Sequence, residues 1–328
     1  MSNEKFISTI RDLSSNDTDP LKALTTDTRP PMMRHSLVER IWVLIPDPKK
    51  TWRFLGVPVL PSLKGVFPFR LSTTSYIIPD AILPNVEFLG PYLDEVELVL
   101  FESGQETNLP SVYEVRELGR MGQDMGITYN VHLPTDIFLG DPVSAVRNSS
   151  VEAVLRFHDR TIQLAPRLYV LHLETRSSQG ERVQDREAWM DSVRSSLEAL
   201  WRRGMDPKTV SVENLEYPPN LLEPLIEEMG MWHCVDVGHL IRYGFPVGEE
   251  LGRCISRCAM VHLHGVEKGI DHRGLDLLPD GLWKELGRCL GRFRGGVSIE
   301  VFSLEHLARS MERISAWAGF VSGKESGV

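Results

Sequence analysis

The chain has 328 residues, 42% of them hydrophobic, with 36 basic against 45 acidic side chains and a formal net charge of −9. That length can bury a large core and suits one sizeable α/β domain with or without a small appendage. The acidic balance argues against a nucleic-acid groove as the main surface.

Four cysteines, Cys234, Cys254, Cys258 and Cys289, are too few and too scattered for a disulfide framework. Cys254 and Cys258, four positions apart, read as buried thiols on one helix face. The N-terminal segment MSNEKFISTIRDL lacks a basic stretch followed by an apolar one. No run approaches the roughly twenty apolar residues of a membrane span. The expectation is a reduced, cytoplasmic protein with a small-molecule substrate and neither a nucleic-acid nor a membrane partner.

Residues 1–64 are expected to form an irregular extension. Polar residues are dense from Ser14 to Thr28, and Pro30, Pro31, Pro46, Pro48, Pro58 and Pro61 interrupt regular structure. From Val66 a rhythm sets in. Strands are predicted at Phe69–Thr74, Glu95–Phe101, Ile127–Leu133, Leu168–Leu173, Val210–Leu215, Met231–Val237, Ala259–Leu263 and Val297–Phe302. Helices are predicted between them at Asn85–Leu93, Ser111–Met125, Val143–Leu164, Arg186–Arg203, Asn220–Met229, Pro246–Ile255 and Leu282–Leu290, with a last one at Leu304–Gly319. Eight short apolar strands alternating with helices predict an α/β fold, a parallel (β/α)₈ barrel over residues 65–320 with a short tail at 321–328.

Such a barrel carries its active site at the C-terminal ends of its strands, and the polar residues collect there. The third strand ends with His132, and the fourth with His172 and Glu174. The fifth ends with Glu213 and Asn214, and the sixth delivers Asp236 and, after a turn loosened by Gly238, His239. The seventh supplies His262 and His264, its loop supplies Asp271, His272 and Arg273, and the eighth supplies Glu300. A carboxylate inside an apolar strand is costly unless a cation or several donors meet it, so this recurrence points to a divalent metal site. Mixed imidazole and carboxylate donors suit zinc, manganese, iron or cobalt, with room for more than one ion. A cation so held makes hydroxide available near neutral pH, and Glu213 or Glu300 is placed to act as the base. Arg176, Lys268 and Arg273 lie on loops where they could clamp phosphate. Thr74 and Tyr76 follow the first strand toward substrate, His264 joins them, and Glu102 is better placed than Glu97 to line the mouth.

The order His, His, Glu, Asp-x-x-His, His, Asp-His, Glu along strands three to eight resembles the xylose isomerase-like barrels, which include sugar epimerases and endonuclease IV-type repair enzymes. The resemblance implies that Glu213, Asp236, His262 and Glu300 ligate a central metal. It further implies a second site at His132 and His172 sharing Glu213, and a third at His239 with Asp271 or His272. The repair enzymes carry Asp-x-His in the seventh loop; here the two are adjacent. The segments FPFRLSTTSYIIPDAILPNV, VELVLFES and YNVHLPTD are similar to cobamide-remodelling hydrolases of the CbiR type. That likeness implies cleavage of the nucleotide-loop phosphodiester of cobalamin-like corrinoids to an α-riboside and cobinamide phosphate. The alternative is a sugar or sugar-phosphate isomerase or epimerase with one metal and two flanking carboxylates. Endonuclease activity or a silent corrinoid- or sugar-binding barrel stand behind these.

Overall fold

The computed structural model describes residues 60–103, 106–177, 180 and 182–321, together with the short antiparallel pairing of Leu44–Ile45 with Arg53–Phe54. Most of the irregular extension expected at 1–64, and the tail beyond 321, lie outside the described residues. The last residues of that extension already belong to the barrel. Leu60 and Leu63 are buried in its core, and the Leu63 N–H donates to the Tyr92 carbonyl at 2.9 Å.

Eight parallel strands form the barrel: β1 Arg70–Thr73, β2 Glu95–Val99, β3 Thr128–His132, β4 Tyr169–Leu171, β5 Val210–Glu213, β6 Trp232–Asp236, β7 Cys258–Leu263 and β8 Gly296–Ile299. Each pairs with its neighbours in sequence, and β8 returns to β1. Closure between β1 and β2 is a single bridge, Thr74 to Glu97, supported by the Ser75 N–H on the Glu97 carbonyl at 2.9 Å. The predicted (β/α)₈ barrel is the observed one.

Helices cover the outside: α1 Ile82–Leu89, α2 Val112–Met125, α3 Ser144–Thr161, α4 Arg186–Arg202, α5 Glu223–Met229, α6 Val237–Tyr243, α7 Val247–Cys254, α8 Asp280–Leu290 and α9 Leu304–Val321. Local chemistry sets their ends. Ser111 and Glu114 form a reciprocal capping box at the start of α2, and Gly126, in the left-handed region at φ 61°, closes it. The main core lies between sheet and helices, where residues such as Leu98, Leu118, Val154, Leu197 and Ile314 are buried. A small second cluster holds Leu168 and Val170 at β4, Cys234 on β6 and Met260 on β7.

Three elements depart from the sequence reading. The stretch after β6 is α6, not a turn. Asp236 caps it directly, its Oδ1 accepting from the His239 N–H at 2.7 Å, so strand passes to helix without a loop. Gly238 is therefore not a source of looseness: a Cβ there would stand 2.0–2.4 Å from the His264 ring. The loop after β7 holds an antiparallel hairpin, Gly265–Glu267 with Ile270–Arg273. Cys254 and Cys258 do not share a helix face, since the first ends α7 and the second begins β7, though both are buried free thiols.

Candidate metal centre

Glu213, at the end of β5, is the hub. Its Oε2 lies 3.3 Å from His132 Nε2, 3.2 Å from His172 Nε2 and 3.3 Å from His262 Nδ1, and its Oε1 lies 3.2 Å from His239 Nδ1. His262 Nδ1 also faces Glu300 Oε2 at 3.2 Å and Asp236 Oδ2 at 3.8 Å. Glu213, Asp236, His262 and Glu300 each offer an atom within 4.8 Å of the others, and so do His132, Glu213 and His262. Donors held 2.0–2.2 Å from one ion stand roughly 3.0–3.6 Å apart, so most of these separations match a shared cation.

The hydrogen-bond pattern tests the fit further. His132 Nδ1 faces the Leu133 carbonyl at 2.9 Å, and His262 Nε2 faces Glu97 Oε1 at 3.1 Å. Each of those nitrogens must carry the ring's proton, because its partner can only accept. The opposite nitrogen then turns a lone pair toward carboxylate oxygens. Such an arrangement needs a second proton or a metal ion between the atoms. Glu213 Oε1, Glu300 Oε2, His262 Nδ1 and both His172 nitrogens are buried without a hydrogen-bond partner, although they crowd together. The same crowding of carboxylates shifts the titration of the rings. Burial alone would lower the His172 pKa, but Glu213 and Glu174 raise it to about 10. His239 rises to about 9 against the same burial, through Asp236, Glu213 and Glu300. Glu213 goes the other way, held well below the ordinary carboxylate range by His172 and His262 despite its burial.

His239, His264 and His272 also cluster, but their nitrogens have different duties. The His272 N–H donates to His264 Nδ1 at 3.0 Å, so His264 Nε2 carries the proton and donates to Asp236, 3.1 Å from Oδ1. Both nitrogens of His264 are thereby used and the ring is fully buried, so it steadies Asp236 and is not the substrate contact expected from sequence. His239 and His272 line the mouth cavity. His272 sits at φ +54°, a backbone conformation a non-glycine residue rarely adopts. Burial and the neighbouring His264 and His239 hold its pKa well below the usual imidazole value. Asp271 is turned to the Arg242 guanidinium, and both line the cavity with His239, so an ion at the third site would share Asp271 with that arginine.

The cavity above the cluster measures about 700 Å³. His132, His172, Glu213, His239 and Glu300 form part of its wall, with Glu174, Arg176, Glu216 and Arg242 as further polar residues. Val99, Leu100, Phe101, Phe138, Leu215, Tyr243 and Phe302 supply an apolar wall.

Several expected contacts lie elsewhere. Thr74 is fully buried in the closing seam, where its hydroxyl donates to the Val301 carbonyl at 2.6 Å. Tyr76 stands behind Phe101, its hydroxyl held by Asn108, and burial pushes its pKa up to about 12. Glu102 belongs to a small hairpin, Glu102–Ser103 with Glu106–Thr107, and pairs with Arg156. Lys268 is exposed at the tip of the second hairpin. Arg273 is half-buried and is not among the residues lining the cavity, so it does not serve there as a catalytic clamp. Arg176 does reach the rim, loosely held by Glu216 at 3.9 Å.

Sequence reasoning placed Asn214 at a strand end without a role, and passed over Arg242 and the true place of Glu97. Asn214 Oδ1 accepts from the Asp236 N–H at 2.7 Å, and its carbonyl meets His239 Nδ1 at 3.1 Å. Glu97 alternates with Val96 and Leu98 along β2, and that period-2 pattern was the available signal for an inward carboxylate. A separate group, Glu223, His233 and Cys254, lies away from the mouth between α5, β6 and α7. There Glu223 already holds Arg253, and Arg257 joins the lining, so the charges are satisfied without an ion.

No protein-family model matches the sequence, and no curated protein matches it. Solved structures do match. A D-tagatose 3-epimerase-like protein superposes with a TM-score of 0.65 at 17% identity, covering 78% of this chain and 99% of that one. D-psicose 3-epimerase from Clostridium cellulolyticum gives 0.59 at 15% identity over 77% and 99%. Endonuclease IV from Thermus thermophilus gives 0.58 at 17% identity over 76% and 98%. At such identities the likeness establishes the fold alone, a (β/α)₈ barrel.

Proposed function

We propose that the protein is a divalent-metal-dependent phosphodiester hydrolase acting on the nucleotide loop of cobamides. The observation that carries the metal-dependent part is the surplus of donors. Four imidazoles, those of His132, His172, His239 and His262, face the two oxygens of Glu213, beside Asp236 and Glu300. One ion does not use so many, and sites holding two or more ions suit displacement at phosphorus. The cobamide assignment rests on the segments Phe67–Val86, VELVLFES and YNVHLPTD. The cavity agrees in kind: it pairs a polar floor with apolar walls and is of the size that takes drug-sized ligands, about 300–1,000 Å³.

A divalent ion held by Glu213, Asp236, His262 and Glu300, with a neighbour at His132 and His172, would supply an activated water and neutralise phosphoryl oxygen charge. The protein's own groups do the rest. Glu300, one of the four residues that would hold the ion, also lines the cavity, where its carboxylate oxygen not engaged by the ion would accept the water's proton. Arg176 offers positive charge at the rim to the phosphodiester. Water oxygen bonds to phosphorus, the bond from phosphorus to the ribose oxygen breaks, and that oxygen leaves with a proton. The products are cobinamide phosphate and the α-riboside.

A second reading is a sugar or sugar-phosphate epimerase. The four-residue set Glu213, Asp236, His262 and Glu300 would serve a single ion, with Glu213 and Glu300 moving protons on either face of a ketose. The epimerases among the structural neighbours favour this reading over the first. One experiment separates the two. Purified protein loaded with zinc or manganese is incubated with cobalamin or pseudocobalamin, and in parallel with a panel of ketohexoses and their phosphates. Mass spectrometry reads riboside release and NMR reads epimer formation. Chelator-sensitive riboside release supports the hydrolase. Epimer formation without it replaces that reading with the second.

A further inference from the structure

We infer that Glu97 is a positioning residue that fixes the tautomer and aim of His262, presenting its Nδ1 to the metal. The inference rests on the metal-centre reading of Glu213, Asp236, His262 and Glu300.

Glu97 Oε1 lies 3.1 Å from His262 Nε2, and both side chains are fully buried. A carboxylate can only accept there, so Nε2 keeps the proton and Nδ1 keeps the lone pair. Nδ1 is the atom that faces Glu213, Glu300 and Asp236. Were the proton on Nδ1, the ring would present a hydrogen to the ion and could not ligate it.

The acceptor is rigid. Glu97 sits on β2, its neighbour across the sheet is Asn130 on β3, and its backbone makes the closing bridge to Thr74. A group held by the sheet on both sides positions its partner better than one on a loop. No arginine or lysine is bonded to Glu97 among the described residues, and besides His262 only the Ser298 hydroxyl stands near enough to support it. A buried carboxylate so poorly supplied weakens a core, which a leucine at this inward position would not do. Orientation of His262 accounts for its presence. An outer carboxylate on a ligating histidine is worth about 10- to 100-fold in metal affinity.

The test uses the full chain, stripped with chelator and titrated with zinc chloride by calorimetry. Glu97→Gln keeps the shape but offers either an acceptor or a donor to Nε2. We expect a dissociation constant about 10- to 100-fold higher than the parent's, with Glu95→Gln, at the opposite end of β2, unchanged. In parallel, ¹⁵N-histidine NMR of the zinc-loaded parent, assigned with His262→Gln, should show His262 protonated at Nε2. That measurement stands even if Glu97→Gln does not fold. An Nδ1–H tautomer in the parent, or equal zinc affinity in a folded Glu97→Gln, overturns the inference while the metal centre survives. A parent that binds no zinc overturns the metal-centre reading first, and the inference with it.

Discussion

Two buried glutamates in the same barrel meet opposite fates. Glu95, at the N-terminal end of β2, is fully buried and fully answered. Arg167 reaches both its oxygens at 2.8 and 3.0 Å, Thr128 donates at 2.6 Å and Asn130 at 2.9 Å. Glu213, at the C-terminal end of β5, is buried as deeply but meets only imidazoles, and its Oε1 makes no hydrogen bond. The same burial penalty is offset by the protein at one end and left open at the other. The barrel thus separates structure from chemistry along its axis: Glu95 below is closed by arginine, hydroxyl and amide donors, and Glu213 above faces imidazoles that could share a cation with it.

The largest expected effect comes from the open end. Glu213→Gln removes the charge that four imidazoles face, and it should abolish stoichiometric zinc or manganese binding, read by elemental analysis after dialysis. It should also lower kcat/KM by about 10³-fold or more on whichever substrate the parent turns over. In the parent, metal at a hundredfold excess over its dissociation constant should add about 2.7 kcal/mol of stability, and the variant should gain nothing. A variant that keeps its metal and its metal-linked stabilisation would break the contrast between the two glutamates.

The closed end should respond in the opposite currency. Arg167→Ala leaves Glu95 with its neutral donors and only the half-exposed Arg70, 3.9 Å away, a buried charge without its close cation. The expected loss is about 3 kcal/mol in urea denaturation of the chelated protein, with zinc affinity unchanged. A loss of metal binding there, or a stability change under about 0.5 kcal/mol, would show that the two ends are not separate.

The barrel itself was readable because parallel strands buried on both faces are near-continuous apolar runs, and these recur eight times. The donors at strand ends were readable for the same reason, since a strand's last residues point to one mouth. What was hidden is where side chains go once the chain leaves the sheet. Asp271 was read as a third-site ligand and Lys268 and Arg273 as phosphate clamps, yet Asp271 is held by Arg242, Lys268 stands at the exposed hairpin tip and Arg273 does not line the cavity. Helix α6 was hidden because its cap, Asp236, is also the last residue of a strand. Gly238 looked like a turn residue because nothing local announces the His264 ring pressed against it. For His264 itself, strand-end position indicated the mouth, but only the partners of both nitrogens show that it serves Asp236.

His233 sharpens the comparison through the smallest effect. It lies on β6 three residues before Asp236, away from the mouth and close to Glu223 and Cys254. Glu227 is the one carboxylate that raises it, and it is outweighed. Burial, with help from Arg257, lowers its pKa below the usual imidazole value. The folded protein therefore holds it neutral, while the unfolded chain takes up a proton near pH 6.5. Below that pH the unfolded state binds more protons, so stability is complete above about 6.5 and is lost as pH falls through the lower folded value. His233→Gln has no proton to gain in either state. The drop in melting temperature between pH 8 and pH 5 should be smaller in this variant than in the parent, and taking the difference between the two proteins cancels the contribution of the mouth histidines. An equal or steeper drop would mean that His233 is charged in the fold, and that the Glu223 side of the barrel handles buried imidazoles as the mouth does.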